Sequence, residues 1–339
     1  MHKLSAPLQR LMRRGTDFLG TQYAILGGAM TWVSDRHLVS AISNNGGFGV
    51  LASGAMSPAQ LTEEIRQTQA LTTFPFGVNL ITLHPQLDAL IDVCVAENVS
   101  HIVLAGGVPK TIHIAQAKTN GAKVICFAPA LVLAKRLIKN GADALVIEGM
   151  EAGGHVGPVS TSVLVQEMLP IMADVPVFVA GGIARGEAIF SYLKMGAAGC
   201  QLGTRFVVAD ESGAHPDFKR AFIKAHARDA TLSIQQDARF PVIPVRGIQN
   251  KGTRAFAQIQ HETIGRFDRG EISMEEGQLI IEHFWSGSLR RAVKEGDIEN
   301  GSLMAGQSVG LVTETAPLSE IMASLLAQSE SALLNHSGS

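Results

Sequence analysis

Short, nearly unbroken apolar runs alternate, over the first two thirds of the chain, with longer stretches in which apolar residues recur every three or four positions. The runs cover residues 24–30, 48–53, 76–81, 101–105, 123–128, 144–148, 175–180 and 199–206. Each is apolar throughout rather than alternating, which predicts a parallel strand covered on both faces. The stretches between them predict helices. Over 57–71, Ser57-Pro58 places a capping serine before a proline at the first helical position, and Leu61, Ile65 and Leu71 form the apolar stripe. Residues 131–139 and 187–195 read the same way. Gly121, Gly141 and Gly196 each stand just before the next strand, where glycine accepts the left-handed conformation that stops a helix. The Asn-Gly-Ala and Met-Gly-Ala phrases at these stops suggest one βα unit used several times.

Eight such units predict an α/β fold, a (β/α)8 TIM barrel. A doubly wound open sheet is the alternative, since alternation alone does not establish closure. Against it, no G-x-G-x-x-G opens a helix after the first strand, and glycines crowd many strand ends rather than one. The pattern changes after Phe206. Residues 210–299 carry His215-Pro216, an irregular Arg239-Phe240-Pro241-Val242-Ile243-Pro244 stretch and charged helices, with weak strand signals. They predict a helical, substrate-binding insertion after strand eight. From Ser302 the helical spacing returns through Leu303, Val309, Leu311, Ile321 and Leu325, which predicts helices packing back on the barrel. The expected division is a barrel over 1–209, a helical lid or substrate domain over 210–300, and C-terminal helices over 301–339.

Composition narrows the class. A length of 339 residues suits one α/β barrel with an addition, and 46% hydrophobic with 17% charged residues describes a globular protein with a large core. A net charge of −2 gives no reason to expect nucleic acid. The basic start, Lys3, Arg10, Arg13 and Arg14, has scattered apolar residues and is followed by Asp17, so it reads as a first surface helix rather than a targeting arm. No run of about 18 apolar residues is present to span a membrane. Cys94, Cys126 and Cys200 sit in apolar segments without C-x-x-C or Cys/His spacing, as expected for buried thiols in a reducing compartment, with the cytoplasm as default.

The candidate chemistry lies at the strand ends: Gly27, Gly28, Met30, Gly54, Asn79, Gly106, Gly107, Pro129, Glu148, Gly181, Gly182, Gly203 and Thr204. After the sixth run, residues 147–157 hold four glycines around one histidine, His155. Bare backbone beside an imidazole suits a ligand approached by main chain, and a tight turn with a surface histidine is the plainer account. Gly181-Gly182 and Gly203-Thr204 follow the seventh and eighth strands, where barrels commonly bind phosphate through backbone N–H groups; tight βα turns also need glycine. Asn79 could hydrogen-bond a heterocycle edge or simply form a turn. Glu148 could orient His155, hold a ligand hydroxyl, or stand as a solvated rim carboxylate. His84, His101, His113 and His215 have no metal-like partners and no metal site is expected. Glu151 and Asp143 form no acid/base couple. Neither G-x-S-x-G nor a Walker loop occurs, which leaves nucleophilic hydrolysis and nucleotide triphosphate chemistry without support.

Several phrases together are more specific. Phe76-Gly77-Val78-Asn79, Glu148-Gly149-Met150-Glu151-Ala152-Gly153-Gly154-His155, Ala180-Gly181-Gly182-Ile183 and Gly203-Thr204-Arg205-Phe206 resemble the family of nitronate monooxygenases and FMN-dependent enoyl-ACP reductases. Ser43-Asn44-Asn45-Gly46-Gly47 and Gly301-Ser302-Leu303-Met304-Ala305-Gly306-Gln307 fit in the same order. The resemblance runs from about residue 19 to 315 and implies an FMN barrel with a helical substrate domain. The full Glu148–Gly157 phrase, with residues 203–211 and Ala214-His215-Pro216, looks closest to the enoyl-ACP reductase branch. That branch implies NADH or NADPH as electron donor, a trans-2-enoyl thioester on an acyl carrier or a small molecule as substrate, and His155 as proton donor or polariser. The cofactor-binding positions it implies are Gly28, Ala29, Met30, Asn79, Glu148, Gly153, Gly154, Ala180, Gly181, Gly182, Gln201, Gly203 and Thr204. A homodimer is left open.

The alternative activity is oxygen-dependent oxidation of alkyl nitronates by the same flavin, and a non-enzymatic flavin sensor is the third reading. Two departures from the family pattern bear on specificity. Gly27-Gly28-Ala29-Met30 stands where Gln-Gly-Gly-Met is usual, in a first strand starting from Ala24 rather than proline, and Ala130 follows the fifth-strand proline where serine is common.

Overall fold

The computed structural model describes residues 4–240 and 244–337; Lys3 of the basic start and Pro241, Val242 and Ile243 of the irregular stretch lie outside the described residues. Eleven strands occur among them: β1 (Ile25–Gly27), β2 (Gly49–Ala52), β3 (Phe76–Ile81), β4 (His101–Ala105), β5 (Lys123–Phe127), β6 (Ala144–Glu148), β7 (Gly154–His155), β8 (Val177–Ala180), β9 (Gly199–Leu202), β10 (Ala230–Leu232) and β11 (Val245–Ile248). Eight of them pair in parallel in the order β1-β9-β8-β6-β5-β4-β3-β2. A parallel bridge between Leu26 and Phe48 closes the circle, with the Gly27 N–H donating to the Phe48 carbonyl and the Phe48 N–H to that of Ile25, each at 2.9 Å. The barrel is therefore closed, and the open doubly wound sheet is excluded.

The helices are α1 (Ala6–Leu19), α2 (Arg36–Asn44), α3 (Pro58–Leu71), α4 (Leu87–Ala96), α5 (Thr111–Ala117), α6 (Leu131–Lys139), α7 (Thr161–Met168), α8 (Gly186–Lys194), α9 (Thr204–Val207), α10 (Pro216–Lys224), α11 (Lys251–Asp268), α12 (Met274–Arg290) and α13 (Leu318–Ser337). Ser57 caps α3 through a reciprocal box, its side chain accepting from Gln60 N–H while Gln60 accepts from Ser57 N–H. Leu61 and Ile65 are fully buried on its inner face, an effect of about 1.5–3 kcal/mol each. Leu71 is 43% exposed instead; Thr68, 0% exposed, completes the stripe because Leu71 has already turned past the core. Gly121, Gly141 and Gly196 adopt φ of +85°, +104° and +102°, as their stop positions require.

Two apolar layers result. Phe48, Val50, Val103, Ile125, Val146 and Phe178 fill the barrel interior, while alternate residues such as Val78, Leu104, Ile147 and Cys200 face the helices. The three cysteines are buried free thiols, and burial pushes Cys94 and Cys126 up to about 12. Helix α1 does more than cover a surface: Leu8, Met12 and Leu19 are buried, and Phe18 and Leu19 plug the N-terminal end of the barrel.

The ends of the predicted elements shift. The first strand stops at Gly27 and the eighth barrel strand at Leu202, where α9 begins almost at once, because Gly203 turns the chain and frees it from the ladder. Residues 302–311 are not helical apart from a short 3₁₀ turn at Gln307–Leu311; they run as a strap over the barrel mouth. The last helix, α13, packs on α8, with Gly186 leaving no room for a side chain against Leu325 and Ser329. The insertion holds α10, α11 and α12, and also β10 and β11, which pair with β7 in a small antiparallel sheet. Their residues form this sheet through backbone partners from distant segments, so the local pattern signalled them weakly. No helix among the described residues is long and apolar enough to cross a membrane.

Candidate active site

The C-terminal ends of the barrel strands form a mouth whose floor is set by strand alternation. Asn79, Glu148 and Gln201 occupy inward positions one layer above the apolar filling, in line with Gly77, Val146 and Gly199. Asn79 is 5% exposed; its Nδ2 donates to the Val103 carbonyl at 3.3 Å, and its own carbonyl accepts from Ser53 Oγ at 2.6 Å. Gln201 is 9% exposed and lies beside Gly28, where a Cβ would stand 3.3 Å from its Nε2. Glu148 pairs in register with Ala180 and keeps part of its surface open to the mouth. Its carboxylate meets no hydrogen-bond or ionic partner among the described residues, and burial at the floor pushes it up to about 8. It is therefore no ordinary solvated rim carboxylate.

One side of the mouth is lined by backbone donors. Gly181 and Gly182 take φ of +98° and +72°, a pair that an L side chain would strain. The N–H groups of Gly181, Gly182, Gly203 and Thr204 meet no acceptor among the described residues. Ala180, 2% exposed, lies beneath them in the interior layer. Four unpaired donors at adjacent strand ends fit a phosphate group; a Cβ on Gly181 would meet Thr161 and the Gly149 backbone, and one on Gly182 the Glu151 side chain. The Gly28–Met30 turn differs. Gly28 N–H donates to the Leu202 carbonyl at 2.8 Å and Met30 N–H to Ser34 Oγ at 2.9 Å, so both donors are engaged and only Ala29 N–H is free for a ligand. At Gly27 a Cβ would lie 2.3 Å from Ile42 Cδ1, so a glutamine there would require the Ile42 side chain to shift. Ala130 occupies the N-cap of α6 without a side-chain cap, the direct consequence of the missing serine.

The other side is the loop ending in His155. Its glycines serve chain-to-chain approach more than ligand approach: a Cβ on Gly149 would fall within 2.2 Å of Thr161 N, and one on Gly153 within 2.6 Å of the Gly306 N. Gly154, at φ +79°, turns the chain into β7. Glu151 accepts from the Thr161 N–H and Oγ1, each at 2.9 Å, and so anchors the loop rather than acting as an acid. Asp143 is likewise structural, accepting from Lys118 Nζ and Val124 N–H. Gln307 N–H donates to the Glu151 carbonyl at 2.9 Å, and Gly306 N–H to Thr204 Oγ1 at 3.0 Å, so one strap joins both sides of the mouth. His155 is exposed at the mouth with no hydrogen-bond partner among the described residues. The protein mass around the mouth holds its imidazole below the ordinary 6.5, which leaves it neutral near pH 7 although water still reaches the ring.

Of two further residues at this site, Arg246 escaped sequence reasoning and Met304 stood in a family phrase without a role of its own. Arg246 on β11, 3% exposed, donates from Nε to the Met150 carbonyl at 2.8 Å; Met304 on the strap lies near Gly154, where a Cβ would be 3.6 Å from its sulfur. The only local signal for Arg246 is a charge inside the short run Val245-Arg246-Gly247-Ile248.

Comparison with known proteins gives the family. A family profile described as nitronate monooxygenase matches residues 13–90 and 86–328. The solved structure of FabK from Thermotoga maritima is 37% identical, covers 96% of this chain and 98% of its own, and superposes with a TM-score of 0.86. A Rhodococcus jostii protein named (3aS,4S,5R,7aS)-5-hydroxy-7a-methyl-1-oxo-octahydro-1H-indene-4-carboxyl-CoA dehydrogenase is 29% identical over 92% of this chain and 94% of its own. A probable nitronate monooxygenase of Staphylococcus aureus is 27% identical over 93% and 96%. With a closed barrel, a histidine at its mouth and a family match along nearly the whole chain, this protein is an oxidoreductase that belongs to the nitronate monooxygenase family.

Proposed function

We propose that this protein binds FMN and reduces a trans-2-enoyl thioester carried on an acyl carrier protein, with NADH or NADPH as electron donor. The observation that carries the reading is the arrangement of the mouth: unpaired backbone donors on one side, a neutral, unpartnered imidazole on the other, and one strap bonded to both. Gly181, Gly182, Gly203 and Thr204 would hold the phosphate through N–H groups, while the Asn79 and Gln201 amides and the Ala29 N–H would meet the ring system from the floor and the first-strand turn. When bound, FMN supplies the hydride chemistry, accepting two electrons from the nicotinamide and delivering hydride at the β-carbon. His155, neutral at pH 7, donates an N–H hydrogen bond to the thioester carbonyl, drawing charge away from the β-carbon; a solvent proton completes the α-carbon. The insertion, residues 210–300, would frame the acyl group. The FabK structure supports this branch.

Oxidation of alkyl nitronates with oxygen is the second reading, favoured by the family profile and the staphylococcal relatives. It uses the same histidine. Anaerobic mixing with NADH or NADPH tests the choice: the reductase requires rapid bleaching of the bound flavin and reoxidation by a crotonyl thioester, and failure to bleach sinks it. Oxygen uptake with propyl-2-nitronate in the absence of pyridine nucleotide selects the second reading. Protein that takes up no FMN refutes both.

A further inference from the structure

The His155 loop is held from three directions. Thr161, at the start of α7, fixes the Glu151 side chain; the strap fixes the Glu151 carbonyl through Gln307; and β11 of the insertion lies alongside, with Val245 opposite His155 and Arg246 opposite Gly154. Only the third contact includes a cationic side chain. Arg246 reaches across from β11 to the Met150 carbonyl at 2.8 Å and to the Ala230 carbonyl at 2.6 Å. It thus bonds the reactive loop, its own strand and the neighbouring β10 together.

A guanidinium is an expensive choice for such a place. Taking it out of water carries a desolvation cost, which two carbonyls and the nearby Glu151 offset only in part; burial accordingly holds its pKa below the ordinary value, with Glu151 opposing. An apolar residue would pack between Val245 and Gly247 without that cost. What it could not do is fix the direction of the Met150 carbonyl, and hence the course of the chain over Glu151–His155. The planar fork reaches two acceptors at once with little orientational freedom.

We propose that Arg246 is a positioning residue for His155: it locks the reactive loop to the insertion through the Met150 carbonyl, so that loop and lid strand act as one body. Whatever the insertion grips is thereby registered against the imidazole. The proposal rests on His155 being the reacting side chain, and it holds for either substrate class named above.

The test compares FMN-loaded wild type, Arg246→Met and Arg246→Lys. Arg246 touches none of the unpaired donors, so FMN affinity stays at the wild-type level in both variants. Arg246→Met lowers kcat by up to about 10²-fold, the effect expected of a catalytic group displaced by roughly 1 Å, with KM little changed. The His155 ionisation in the pH profile moves up toward its ordinary value as the loop loosens and the ring gains water. Arg246→Lys recovers part of kcat, since an ammonium reaches one carbonyl of the two. A wild-type kcat and pH profile in Arg246→Met overturns the proposal. So does a parallel loss of FMN, melting temperature and kcat in both variants, which marks a purely structural residue. If wild type oxidises nitronate and reduces no enoyl thioester, the reductase reading fails, and the same three proteins assayed on nitronate still decide the role of Arg246.

Discussion

The two ends of the barrel each hold a histidine held below its ordinary pKa, and they could hardly differ more. At the N-terminal end His101 is 4% exposed; its Nε2 donates to the Phe18 carbonyl at 3.0 Å, which leaves Nδ1 to accept from Ser100 Oγ at 2.9 Å. Phe18 and Phe48 stack edge-on against the ring, and burial pushes it down to about 4. At the C-terminal end His155 is exposed to water and has no hydrogen-bond partner among the described residues. A hollow of about 310 Å³ does open at the His101 end, bordered by Phe18, Pro75, Asn98 and Lys123, but its titratable groups are already engaged: Lys123 donates to the same Phe18 carbonyl and lies over the Phe18 ring. A shifted pKa alone therefore does not mark a reactive histidine. Unused hydrogen-bonding capacity facing open space does.

Substitutions that exchange the fates of the two rings test this contrast. The largest effect belongs to His155→Ala, expected to lower kcat/KM by about 10²- to 10⁴-fold while FMN stays bound. Steady-state kinetics with flavin absorbance check it, and unchanged turnover would reduce His155 to a surface residue. His101→Ala should do the opposite. Turnover per folded molecule holds while unfolding free energy drops by about 2–4 kcal/mol, read by denaturant titration, because a packed ring and two hydrogen bonds are lost. The sign of its pH dependence follows: the depressed folded pKa means stability is full above 6.5 and declines as pH falls toward 4, a decline the variant lacks.

Next in size is Gly203→Val. Gly203 sits at φ −114°, open to any residue, and a Cβ would lie 3.5 Å from Met30 Sδ, so the fold tolerates it. The new side chain projects beside the unpaired donors and should lower FMN affinity, measured by fluorescence quenching; full affinity would remove the phosphate assignment. The effect at Glu148 is confined to the pH dependence of stability. A carboxyl raised from 4.5 to about 8 on folding costs stability as pH climbs through that interval, since the folded state resists its ionisation. Glu148→Gln should abolish that slope, and paired melting curves between pH 5 and 9 that remain parallel would show the floor to be well solvated.

Much of this was legible because it is local. The continuous apolar runs, the Ser57 cap and the left-handed stops at Gly121, Gly141 and Gly196 each depend on a few neighbouring residues, and they place eight strand ends, with Asn79, Glu148, Gly181 and Gly203 on them, before any contact is known. What was missed is non-local. Strands β10 and β11 are short and pair with each other, and β11 takes its other partners from β7 and the strap; residues 302–306 look helical by spacing yet run without helix, tied down by the bond from Gly306 to Thr204 and by that from Gln307 to the Glu151 carbonyl. Even the glycines of the His155 loop were only half understood, since Gly149 and Gly153 make room for Thr161 and Gly306.

By itself, then, the sequence determined the repeated βα unit and the histidine at the end of the sixth strand, because periodicity and turn chemistry act over short separations along the chain, and its motifs carried the family resemblance; closure of the barrel was settled by the pairing of the first two strands. Only the tertiary structure decided which histidine is free, which backbone donors are unpaired and that Arg246 grips the reactive loop. Pairing is a property of the whole molecule: a donor is free only after every other segment has been placed and none has reached it.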